Sequence, residues 1–151
     1  MIKISPSILS ADLLTLEQEV KMLDRSGADY IHIDIMDGHY VPNLTFGPNI
    51  VESIRKITSK ILDVHLMIKP VKPYIKEFIN AGSDIISFHP EADPNSIEII
   101  NEINNSNVKA GIAIHPEVKI SEISHLLQNI NQVIIMTVVP GFGGQKFMHD
   151  Q

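Results

Sequence analysis

His32 and Asp34 stand one residue apart in the run YIHIDIM, and His65 lies in the next apolar run, ILDVHLMI. A strand sends alternate side chains to opposite faces, so Ile31, Ile33 and Ile35 share one side of it, while His32, Asp34 and Met36 share the other. If adjacent parallel strands bring His65 level with this polar face, two imidazoles and a carboxylate converge. That set suits a divalent zinc, iron, manganese or cobalt ion without selecting among them. A lone buried histidine is more often a hydrogen-bonded core residue than a ligand, so the weight rests on the joint pattern. An acid buried without a partner is costly. The same three residues also match the facial triad of an iron oxygenase, a reading that leaves the next motif unexplained.

That motif is VVPGFGGQKF, residues 138–147, which follows the run QVIIMT. Gly141, Gly143 and Gly144 let a backbone turn tightly and aim several amide N–H groups at one anion, with a helix N-terminus beyond them adding its dipole. This is phosphate-binding chemistry; the plainer alternative is a tight strand-to-helix turn. Met36, Met67 and Met136 fall at corresponding places near the ends of three runs, where they either fill core gaps or form an apolar cradle that excludes water from a reacting group. Ser7 in SPSILSADL is placed to donate to a substrate, although an isolated serine is mostly structural. His89 and His115 face the same mouth, but each precedes a proline and can serve loop geometry alone. His39 and His125 read as surface residues.

The elements that must position these groups are six short β-branched runs: IKISPSIL, YIHIDIM, ILDVHLMI, IISFH, AGIAI and QVIIMTVV. Helical periodicity fills the intervals. Leu16, Val20 and Leu23 recur at helical spacing before a stop at Gly27, and further helices are expected over 48–57, 71–81, 94–104 and 120–128. Alternation of this kind predicts a parallel α/β fold, either a doubly wound open sheet or a (β/α)8 barrel. The barrel is favoured, because polar residues gather at the C-terminal ends of several strands and no Gly-rich dinucleotide fingerprint follows the first one.

Composition narrows the partners. The chain has 151 residues, of which 44% are hydrophobic and 20% charged, ordinary values for a globular domain. A formal charge of -6 argues against nucleic acid or an anionic membrane as the main partner. With no cysteine, disulfides, thiolate metal sites and thiolate nucleophiles are excluded. No apolar run is long enough for a membrane span and no secretory signal is evident, so the cytoplasm is the expected compartment.

Five segments, SPSILSADL, HIDIMDGHYVPNLTFGP, DVHLMI, FHPEA and MTVVPGFGGQKF, together resemble the ribulose-phosphate 3-epimerase family, in the family's order and over essentially the whole chain. The resemblance implies a (β/α)8 TIM barrel binding one divalent metal and a pentulose phosphate. The implied reaction interconverts D-ribulose 5-phosphate and D-xylulose 5-phosphate through a metal-stabilised enediolate. It implies His32, Asp34 and His65 as metal ligands, with Asp34 also moving a proton. Ser7, His65, Met36, Met67, Met136, Gly141, Phe142, Gly143 and Gly144 are implied substrate contacts. A homo-oligomer is left open. Family barrels have eight units and a second catalytic Asp after the seventh strand. Residues 1–151 are therefore expected to form a single incomplete barrel domain of about six βα units. The competing expectation is a catalytically inactive remnant that at most binds metal or sugar phosphate. A smaller departure is Val139, where family members often carry a polar residue.

Overall fold

The computed structural model describes residues 2–151. Five parallel strands, β1 (Tyr30–Met36), β2 (Ile61–Met67), β3 (Ile85–Phe88), β4 (Lys109–Ile114) and β5 (Gln132–Ile135), form one sheet in the order β1-β2-β3-β4-β5. That order decides between the two architectures. A doubly wound sheet reverses direction at a switch point, whereas a barrel lays each strand beside its predecessor. Right-handed crossovers then keep the connecting helices on one side and leave the other side as the barrel interior.

The helices are α1 (Leu16–Arg25), α2 (Pro48–Arg55), α3 (Ile75–Asn80), α4 (Ser96–Asn104) and α5 (Ile120–Ile123). Gly27 ends α1 as expected, because the chain turns there with φ of 85°, where a side chain is strained. The segment expected to be helical over 71–81 opens with a 3-10 turn, Lys72–Tyr74, before α3. Likewise α5 passes into a 3-10 turn, Ser124–Asn129.

The core lies between sheet and helices. Ile31, Ile33, Leu62, Val64, Leu66, Ile86, Phe88 and Ile112 from the strands pack with Val20, Val51, Ile54, Phe78, Ile99 and Ile103 from the helices. Each such side chain contributes about 1.5–3 kcal/mol on burial. The Ile face of β1 therefore points to the helices and its polar face to the interior.

The first run departs from expectation: it is not a full strand. Pro6 O accepts from His32 N at 2.9 Å and Ile8 N donates to His32 O at 3.0 Å, which closes a single parallel bridge between Ser7 and His32. One step earlier, Ile4 O accepts from Tyr30 N at 3.2 Å, but the returning bond would need an N–H on Pro6. Proline has none, so the ladder stops at one bridge.

Candidate metal centre and active-site cleft

The β1–β2 ladder aligns the site. Its register pairs His32 with Asp63, Asp34 with His65 and Met36 with Met67. His32 Nε2 lies 3.4 Å and His65 Nδ1 3.3 Å from the same oxygen, Asp34 Oδ1. Donor atoms of all three residues lie within 4.8 Å of one another. Ligand atoms about 2.1 Å from a tetrahedral ion stand roughly 3.4 Å apart, so the spacing fits a divalent metal.

Beyond the three candidate ligands, each histidine has its outer nitrogen engaged. His32 Nδ1 meets Asp63 Oδ2 at 2.8 Å, and Asp63 Oδ1 accepts from Gln132 Nε2 at 2.9 Å. His65 Nε2 meets His89 Nε2 at 3.0 Å. A metal-binding imidazole commonly gives its second N–H to such an acceptor, which fixes ring and tautomer. Gly111 makes room for part of this network. It pairs with Ser87 on one side and Gln132 on the other, and a Cβ there would stand 2.2 Å from Ser87 Oγ.

The electrostatics follow from burial set against these contacts. Burial opposes a proton on His32, but the hydrogen bonds to Asp34 and Asp63 outweigh it and raise its pKa to about 10. Burial also works against the Asp34 carboxylate, yet His32 and His65 together hold its carboxyl well below the usual range. His65 lies deeper, and burial lowers it to about 4 despite the pull of Asp34.

Asp34 Oδ2 faces the other way and accepts from Ser7 Oγ at 2.5 Å. Thr45 Oγ1 clamps the strand end, donating to Asp34 O at 2.6 Å and accepting from Met36 N at 2.9 Å. Beside Asp34 opens a cleft of about 310 Å³ lined by Ser7, Met36, Met67, Met136, Gly141, Phe142, Gly143 and Gly144, among others. Residues far apart in sequence thus meet in one place. His32 and His65 stand behind Asp34, outside this lining. Gly141 and Gly144 have φ of 124° and 72°. Beyond them, residues 145–148 have no regular secondary structure and 149–150 form a turn.

Sequence reasoning passed over Asp63, Gln132 and Gly111, and it left His89 between a place at the mouth and a loop role. Asp63 did carry a signal, since it alternates with His65 on the polar face of β2. His89 is fully buried and touches His65, which its place before a proline does not reveal. His115 lies in a T-shaped contact with His89, 6.5 Å between ring centroids, and stands outside the group of three candidate ligands.

Residues 3–151 match the model of the ribulose-phosphate 3 epimerase family. The chain belongs to this family. It is 51% identical over 99% of its length to the ribulose-phosphate 3-epimerase of Bacillus subtilis (strain 168), and covers 69% of that protein. It is 46% identical over 97% of its length to the Rhodobacter capsulatus ribulose-phosphate 3-epimerase, of which it covers 64%. The chain thus spans about two thirds of the length of these epimerases. Among solved structures, the tryptophan synthase alpha chain from Legionella pneumophila subsp. pneumophila superposes with a TM-score of 0.60, over 87% of this chain and 58% of the other. At 14% identity that likeness bears on the fold alone. Among the described residues no helix is long and apolar enough to cross a membrane.

Proposed function

We propose that the protein is a ribulose-phosphate 3-epimerase that interconverts D-ribulose 5-phosphate and D-xylulose 5-phosphate, with His32, Asp34 and His65 holding one divalent ion. The observation that carries this reading is the division of the Asp34 carboxylate. Oδ1 lies between two imidazoles at ligand spacing, and Oδ2 is held by Ser7 beside a cleft that ends in a glycine-rich loop. A divalent ion held there supplies Lewis-acid stabilisation of the negative charge that develops on oxygen as a proton leaves the neighbouring carbon. Asp34 Oδ2 takes the C3 proton, and the Ser7 hydroxyl orients that oxygen. Met36, Met67 and Met136 keep water from the reacting carbons, which strengthens the local electrostatics. The amides of 141–144 receive the phosphate. Family relatives at about half identity support the substrate class, and the cytoplasm is the compartment proposed.

Inversion at C3 needs a proton returned from the face opposite its removal. Among the described residues lining the cleft, Asp34 is the carboxylate. The test therefore reads removal and inversion separately: protein, ribulose 5-phosphate and manganese are incubated in deuterated water, and C3 deuterium and xylulose 5-phosphate are followed by NMR. Both are expected. Exchange without inversion would keep Asp34 as base and refute the epimerase, while neither signal would leave at most a binding protein.

A further inference from the structure

His89, Glu91 and Tyr40 form a chain behind the metal centre that the proposed reaction does not use. His89 Nε2 meets His65 Nε2 at 3.0 Å, and the His89 ring is fully buried. Its Nδ1 has no hydrogen-bond partner among the described residues and faces Glu91 Oε1 at 3.5 Å. The same Glu91 oxygen accepts from Tyr40 Oη at 2.7 Å, and the Tyr40 ring stacks on His89 with centroids 4.6 Å apart.

Two neutral imidazoles joined nitrogen to nitrogen have two arrangements. In the first, His65 carries its hydrogen on Nδ1, toward Asp34, and accepts from His89 Nε2–H. The His89 Nδ1 lone pair then points at the Glu91 carboxylate, which is unfavourable. In the second, His65 donates through Nε2–H to His89, and His89 carries its hydrogen on Nδ1, toward Glu91. Only the second leaves a lone pair on His65 Nδ1, the nitrogen that stands at ligand spacing from Asp34. The acid at one end of the chain thus favours the tautomer that an ion needs at the other.

We infer that His89 and Glu91, with Tyr40 holding Glu91 in place, are positioning residues that set His65 in its metal-competent tautomer. The inference rests on His65 being a ligand, so the experiment separates the two. Zinc affinity of the full chain is measured by competition with a chelator for the parent and for His65→Ala, His89→Phe, His89→Gln and Glu91→Gln. His89→Phe keeps bulk but cannot accept a hydrogen bond, and it should weaken zinc about 10–100-fold. His89→Gln places an amide oxygen near the position of Nε2 and should recover most of that loss. Glu91→Gln alters the partly exposed end of this chain of contacts and should weaken zinc about tenfold. Ring ¹⁵N spectra of the zinc-loaded parent should show a pyrrole-type Nδ1 on His89, and this signal should shift in Glu91→Gln. If His65→Ala abolishes stoichiometric uptake while His89→Phe and Glu91→Gln bind like the parent, this inference is refuted and the metal centre stands. If His65→Ala binds like the parent, the metal centre falls and the inference with it. A pyrrole-type Nε2 on His89 in the zinc-loaded parent also overturns the inference.

Discussion

The two sides of the cleft are built differently. On the β1–β2 side, His32, Asp34 and His65 sit on adjacent strands paired residue for residue, and their outer atoms are engaged by Ser7, Asp63 and His89. On the opposite side, the loop after β5 has Phe142, Gly143 and Gly144 exposed. It is held mainly by polar contacts to its carbonyls, from Asn43 to Gly141 O and from Gln145 to Val139 O and Phe142 O. Within the described residues, Val133 and Ile135 of β5 are 42% and 59% exposed. Charge that must be placed to within a fraction of an ångström is carried by ladder and core. The loop proposed to present its amides to a phosphate is held in a looser frame.

The contrast can be broken most sharply at Asp34. Asp34→Asn keeps the shape of the side chain but removes the base, and C3 exchange should fall about 10²–10⁴-fold; exchange within a few-fold of the parent would remove Asp34 from the chemistry. Next comes the frame. Ile33→Ala, beneath the ligands, should cost about 2–5 kcal/mol in urea unfolding. Ile135→Ser on β5 should change stability by only about 0.5 kcal/mol. Equal losses would mean that the two sides are equally supported.

Asp63→Asn retains an acceptor for His32 but removes its charge, and manganese affinity should drop about 10–100-fold by calorimetry. An unchanged affinity would make Asp63 a bystander. The smallest effect lies outside the site. Asp93 is buried, which alone would raise its pKa, but it accepts from Val71 N, Lys72 N and Asn95 N, and these bonds hold its carboxyl below the ordinary 3.8. A depressed carboxyl stabilises the fold above the unfolded pKa, and that contribution disappears as pH falls through the folded value. The stability gap between parent and Asp93→Asn should therefore narrow below about pH 4. A gap that stays constant would show that the charge contributes nothing.

Alternation made β1 legible, because Ile31, Ile33 and Ile35 can share a face only if His32, Asp34 and Met36 share the other. The glycines of 141–144 marked a tight loop for a similar local reason. The single bridge at Ser7 was not legible. Pro6 was in plain view, but whether its missing N–H mattered depended on which carbonyl lay opposite, here that of Tyr30. His89 was hidden for the same kind of reason: the proline after it suggested a local role, while its partner His65 lies on a neighbouring strand.

The sequence by itself determined the alternating elements, the polar face of β1, the two imidazoles and the carboxylate, and the motifs that mark the epimerase family. These depend on backbone periodicity and side-chain chemistry, which act over a few residues. Tertiary structure decided the sequential order of the parallel strands, the register that sets Asp34 beside His65, and the backing of His32 by Asp63 and of His65 by His89. Each of these is a contact between segments far apart in the chain. It exists only once the burial of the core has brought the strands side by side in one register.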